Sequence, residues 1–262
     1  MISKNQIKFV RQFEQKKHRQ REQAFVAEGP KVVGDLLAAG FQPKLLFATE
    51  EWAAANAACP AVTVTPDELC RLSFLQHPQQ VLAVFPLPAV SHSPLQAGAR
   101  LVLALDGVQD PGNLGTIIRI ADWFAIDEIV CSTDTVDAWN PKVIQASMGS
   151  IARVHIVYTH LEEYLSHTTL PVYGTLLDGT SIYSQQLPQE AIIVMGNEGN
   201  GISPAIRQRV THRLLIPQFQ PGAESLNVAI ATAITCSEFR RFASPLSPLI
   251  GGEQTKIGNT NL

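Results

Sequence analysis

Three stretches of the 262-residue chain set polar side chains among glycines, and each follows an apolar run. In the first, Leu105-Asp106-Gly107 leads through Asp110-Pro111-Gly112 to Asn113, Gly115 and Arg119. The second runs from Met195 through Gly196-Asn197-Glu198-Gly199-Asn200-Gly201 to Ser203-Pro204, and the third from Ile216-Pro217 to Ser225-Leu226-Asn227. Arg119 is a cation, Glu198 a carboxylate, and Asn113, Ser225 and Asn227 are neutral hydrogen-bonding groups, a polar set at strand ends that suggests a ligand site. Glycine clusters let main-chain N–H and C=O groups approach a ligand closely. Each stretch also admits a purely local role. Asn113 suits a helix N-cap, Arg119 could pair with Asp122 three residues on, and Ser203 and Ser225 suit N-caps, with Pro204 at a first helical position.

Other chemistries lack their residues. Cys59, Cys70, Cys131 and Cys236 are scattered without zinc-ligand spacing, so no metal site or disulfide framework is expected, and they read as buried reduced thiols. Neither the GxGxxG order nor a GxxxxGK[ST] phosphate loop occurs.

The three loops need a scaffold that brings them to one edge. Leu101 to Leu105, Glu128 to Cys131, Val154 to Val157, Val172 to Leu176, Ala191 to Met195 and Arg213 to Ile216 read as short apolar strands. Helical patterns intervene from about Gly115, Lys142, Leu161 and Ser203, and a last helix starts near Leu226. Strands alternating with helices predict a buried parallel sheet, whose ligands lie beyond the strands' carboxyl ends. The last helix is alanine-rich and short of polar positions, so it is expected to be covered all round, with Ala229 and Ala233 as candidates to face a second subunit.

Ahead of this lies a different segment. Ile7, Val10 and Phe13 recur at helical spacing between Ile2 and about Arg21, predicting one amphipathic helix. After Glu28-Gly29-Pro30 a second helix buries Val32, Val33, Leu36 and Leu37, and strands at Lys44 to Ala48, Val62 to Val64 and Val81 to Phe85 alternate with helices from Glu51 and Pro66. The order αβαβαβ describes a compact first domain. A proline-bearing stretch between Pro86 and Gly98 reads as a semi-rigid linker, and the Ser-, Pro-, Gly- and Asn-rich end is expected to be disordered. The predicted organisation is residues 1–90, 99–243 and a tail, 244–262. The net charge of −3 excludes bulk coating of nucleic acid, yet the first thirty positions are locally basic. Lys16, Lys17, Arg19 and Arg21 are the candidate phosphate contacts, and a solvated helix face is the competing reading. No apolar run reaches membrane-spanning length, nor does the start look like a secretory signal, so a cytoplasmic location without membrane contact is expected.

Taken together, Asn113-x-Gly115-x-x-x-Arg119, Gly196-Asn197-Glu198-x-x-Gly201 and Ile216-Pro217 followed by Ser225-Leu226-Asn227-Val228 resemble, in order and position, the three motifs of the SpoU (TrmH-like) family of the SPOUT superfamily. Glu28-Gly29 matches an element of the smaller RNA-binding domain that many members carry. The third loop departs from the pattern: it lacks the usual methionine and glycine after Ile-Pro and is a residue longer. The resemblance implies an α/β fold with a trefoil-knotted, parallel-sheet methyltransferase domain behind a small α/β RNA-binding domain. It implies S-adenosylmethionine as cofactor, held largely by main-chain groups at Met195, Gly196, Asn197, Ile216, Leu226 and Asn227, and a homodimer. The implied reaction is methyl transfer to a ribose 2′-hydroxyl, with Arg119 stabilising the nucleophile and Asn113, Glu198, Ser225 and Asn227 orienting it. Ribosomal RNA is the expected substrate. The alternatives are transfer RNA, or a catalytically silent RNA-binding protein on the same scaffold.

Overall fold

The computed structural model describes residues 2–88, 101–126, 128–220, 222 and 225–241. The expected linker, beyond Pro88, and the expected tail from Ser244 lie outside the described residues. The first part runs α1 (Lys4–Arg11), α2 (Lys16–Glu22), β1 (Ala24–Glu28), α3 (Pro30–Ala38), β2 (Leu45–Ala48), α4 (Glu50–Ala55), β3 (Val62–Thr63), α5 (Pro66–Leu72) and β4 (Val81–Pro86). Its four strands form one sheet in the order β1-β4-β2-β3.

Two features here differ from the sequence reading. The single N-terminal helix is two, because the chain takes a 3₁₀ turn at Gln12–Glu14 and Gln15 then adopts extended angles, φ −95° and ψ 131°. The first strand, Ala24–Glu28, was not anticipated: every residue in it is buried, so it carries no alternation to read. Glu28 closes that strand by accepting hydrogen bonds from the Ser73 hydroxyl and, at 2.9 Å, from the Phe74 N–H. Burial raises its carboxyl above the usual range despite these donors.

The second part runs β5 (Leu101–Leu105), α6 (Pro111–Trp123), β6 (Glu128–Ser132), α7 (Pro141–Ser147), β7 (His155–Thr159), α8 (Leu161–His167), β8 (Val172–Ser181), β9 (Ala191–Met195), α9 (Pro204–Arg207), β10 (His212–Leu215) and α10 (Val228–Arg240). All six strands pair in parallel in the order β10-β8-β9-β5-β6-β7, as the continuous apolar runs require. Cys131 and Cys236 are buried as expected, whereas Cys59 is half-buried and Cys70 exposed.

The two parts share one hydrophobic core. The Phe25 ring of β1 lies 4.7 Å from that of Trp139, and Phe85 stacks behind it at 5.8 Å. Charge crosses the same boundary. Asp35 of α3 takes Lys31 at 2.6 Å and Arg153 at 3.2 Å, and Arg153 in turn grips Asp122 of α6 at 2.7 Å. Gly149, at φ +94°, passes so close to Asp35 that a Cβ there would overlap the carboxylate.

Candidate active site

The loops after β5, β9 and β10 emerge together because their strands are parallel neighbours or next neighbours in one sheet. Asp110 is the N-cap of α6, its carboxylate accepting from the Asn113 N–H at 2.8 Å. Asn113 therefore sits in the first turn instead of at the cap, and its amide points across to the other loops. The Asn113 Nδ2 donates to Glu198 Oε1 at 3.0 Å, and the Asn227 Nδ2 donates to Asn113 Oδ1 at 2.9 Å. Asn227 also caps α10, its Oδ1 accepting from the Ala229 and Ile230 N–H groups at 2.9 and 3.3 Å. One residue from each motif thus joins a single hydrogen-bonded chain ending on a carboxylate.

Glu198 accepts two further bonds, from the Gln109 and Asp110 N–H groups, each at 3.3 Å. Partial burial alone would raise its carboxyl, but the Asn113 amide and these main-chain donors outweigh it and hold the group below its ordinary range. An ionised carboxylate with three donors is an organiser of the loops and a poor proton acceptor near neutral pH.

The glycines of the second loop have separate roles. A Cβ on Gly196 would overlap the backbone of Gly201 and Ile202, so the loop folds back on itself, with Asn197 and Gly201 exchanging main-chain bonds of 2.9 Å. The Asn197 side chain is engaged within the loops: its Oδ1 accepts from Gly199 and Asn200, and its Nδ2 donates to the Gly107 carbonyl at 2.7 Å. Asp106, missed by sequence reasoning, accepts from the Ser203 N–H at 2.7 Å. Ser203 occupies the N-cap position of α9 without a side-chain bond, with Pro204 following as expected.

Arg119 lies on the outer face of α6 and is exposed. Its pairing with Asp122 does not occur, because Asp122 is held by Arg153. Among the described residues Arg119 makes no ion pair, and no side-chain contact ties it to the Asn113–Glu198–Asn227 chain. Six residues separate it from Asn113, about 9 Å along the helix. Gly115 permits close helix packing, since a Cβ there would overlap Ala146 of α7. Ser225 and Leu226 are exposed, Ile216 is half-buried and Met195 buried.

The basic cluster divides. Lys16, Lys17 and Arg21 are exposed. Arg19 is not: only 2% of it is accessible, and its guanidinium binds Asp137 at 2.6 Å and the Phe13 and Glu14 carbonyls at 2.6 and 2.9 Å. The expectation that Arg19 meets RNA phosphate is corrected accordingly, for this arginine fastens the two parts of the chain together.

The fold and site define an α/β protein with a ligand-binding edge built from three loops and no phosphate loop. The chain belongs to the SpoU rRNA Methylase family, whose model matches residues 100–237, while residues 4–83 match the MRM3-like substrate binding domain. It is 33% identical over 247 residues to the 23S rRNA (guanosine(2553)-2′-O)-methyltransferase RlmP of Bacillus subtilis (strain 168), covering 91% of this chain and 97% of that one. Among solved structures it resembles a putative RNA methyltransferase of the TrmH family from Porphyromonas gingivalis, at 46% identity and a TM-score of 0.83, covering 92% of this chain and 99% of the other. It also resembles the AdoMet-bound rRNA methyltransferase from Sinorhizobium meliloti, at 31% identity and 0.81, covering 93% and 97%. These relatives share the expected fold class, a SPOUT methyltransferase domain preceded by a small substrate-binding domain.

Proposed function

We propose that this chain transfers the methyl group of S-adenosylmethionine to a ribose 2′-hydroxyl of ribosomal RNA, acting as a cytoplasmic homodimer. The observation that carries the reading is the hydrogen-bonded chain Asn227–Asn113–Glu198, which draws one residue from each family motif to the carboxyl edge of the sheet. The relatives above, rRNA 2′-O-methyltransferases among them, support the substrate and the reaction.

The cofactor supplies a methyl group on a sulfonium that carries its own leaving group. The residues present suit its adenine, because Gly196, Ile216 and Leu226 offer main-chain groups, and Ile216 and Leu226 also offer apolar side chains. Asn197, whose side chain and main-chain groups are both engaged within the loops, holds the shape of the loop beside Gly196. Ser225 and Asn227, at the entrance to α10, border the same edge.

For the nucleophile the chain provides Arg119. A guanidinium donates hydrogen bonds and accepts none, so Arg119 positions substrate phosphate and stabilises negative charge developing on the ribose oxygen; it does not accept the proton. Asn113, Glu198 and Asn227 hold the loops that frame this place.

A second copy is supported by one surface. Helices α6 and α10, of 13 residues each, lie parallel: Asn113 meets Asn227 at their starts, and Arg240 donates to the Phe124 and Ala125 carbonyls at their ends. These two helices also carry exposed apolar side chains, Trp123 at 85% and Ile230 at 52%, that a second copy would cover. The substrate is tested by incubating the protein with radiolabelled S-adenosylmethionine and either ribosomal or transfer RNA. Label in the ribosomal fraction alone is expected; label in transfer RNA alone favours that substrate, and label in neither favours a silent RNA-binding protein.

A further inference from the structure

The N-terminal domain carries a groove of about 540 Å³, a size common to small-molecule sites, made of residues that the methyl-transfer edge does not use. Pro30 at the start of α3, Pro66 at the start of α5 and Pro78 in the loop before β4 give it flat apolar walls, and Glu51, Gln79 and Gln80 supply polar groups. The loop is held from several sides. Glu28 grips Ser73 and Phe74 at its beginning, and at its end the Gln80 carbonyl accepts from the Thr49 N–H at 2.8 Å.

Gln80 itself has φ +44°, a left-handed conformation that glycine would adopt without cost. The glutamine side chain does what a glycine there could not: its Nε2 donates to Glu51 Oε2 at 3.1 Å and holds the carboxylate at the groove. Glu50, Glu51, Asp67 and Glu68 occupy the first turns of α4 and α5, so the groove repels phosphate. It has the complement of a base edge instead. A fixed carboxylate takes paired N–H donors, which guanine presents side by side at N1 and N2 and which adenine and uracil lack. Sequence-specific readers of RNA take unpaired bases and bond their Watson–Crick edges.

We propose that this groove binds an unpaired guanine of the RNA substrate, with Glu51 accepting from its Watson–Crick edge and Gln79 and Gln80 flanking it. The proposal rests on the reading of this chain as an RNA methyltransferase. It is tested with the full chain and two fluorescein-labelled 12-mers of oligouridine, one with a central guanosine and one with a central adenosine, by fluorescence anisotropy. The unmodified protein should bind the guanosine oligomer at least about tenfold more tightly. That preference should vanish in Glu51→Gln and in Gln80→Gly, the latter keeping the left-handed backbone, while calorimetry shows cofactor affinity unchanged in both. No preference in the unmodified protein, or a preference that survives both substitutions, overturns the proposal. Methylation of ribosomal RNA by a protein without guanine preference would remove only this groove; guanine preference without methylation would remove only the enzymatic reading.

Discussion

Arg119 and Glu198 carry opposite charges, and the proposed function gives them opposite duties. Arg119 is exposed and makes no ion pair among the described residues, so removing it should leave the fold and the cofactor loops in place. Arg119→Ala is expected to lower single-turnover methyl transfer by about 10²–10³-fold, the loss typical of deleting one transition-state donor, with S-adenosylmethionine affinity by calorimetry changed only a few-fold. Glu198 organises the loops. Replacing it by Gln keeps one oxygen for Asp110 and Asn113 but turns an amide N–H toward the Gln109 donor, and should cost about 1 kcal/mol at pH 7. Because its folded pKa lies below the ordinary 4.5, its stabilisation is present above that pH and is lost as pH falls through the folded value. Urea midpoints of wild type and Glu198→Gln should therefore differ at pH 7 and converge toward pH 3; an equal gap at both would assign the effect to something other than this carboxylate. At this scale the spacing of Asn113, Glu198 and Asn227 was legible, since each follows a strand by a short glycine-bearing loop. Arg19 was misread because charge pattern does not distinguish a solvated arginine from a buried one, and its partner Asp137 lies 118 residues away.

Elements were legible where periodicity and turn residues agreed. The six strands of the larger sheet and its helices fall close to the positions predicted, while β1 was hidden by its complete burial and the N-terminal helix by a break at Gln15 that no glycine or proline announces. The last helix was expected to need cover on every side, and the structure sorts its faces. Ala229 is buried against its own chain at 3% exposure, whereas Ile230 points outward beside the α6 surface and Ala233 is half-buried. Ile230→Glu should accordingly shift the protein toward monomer in light scattering at micromolar concentration while leaving circular dichroism unchanged. Ala229→Glu should instead lower folding stability by several kcal/mol, through burial of an unpaired charge. A monomeric unmodified protein with full activity would remove the dimer from the account.

Across the whole molecule the boundary between the two parts is a packed and charged surface, which the semi-rigid linker read from the sequence does not reveal. Phe25 from the N-terminal sheet, backed by Phe85, meets Trp139 ahead of α7, and Arg19–Asp137 and Asp35–Arg153–Asp122 also cross the boundary. Asp122 lies on the helix that bears Arg119, so Arg153 ties the substrate-binding domain to that helix. Phe25→Ala should cost about 3–5 kcal/mol, the range for truncating a buried phenylalanine, read as a lower denaturation midpoint for the whole chain. A midpoint lowered only in a separate early transition would show that the two parts unfold independently.

The central claim, methyl transfer to ribose by this site, has a chemical signature. A methylated 2′-oxygen cannot attack its neighbouring phosphate, so the adjoining linkage survives alkali. Ribosomal RNA incubated with the protein and methyl-labelled S-adenosylmethionine should release its label on alkaline hydrolysis in resistant dinucleotides, and in none when Arg119→Ala is used. Label recovered in alkali-sensitive mononucleotides would place the methyl on a base and contradict the account.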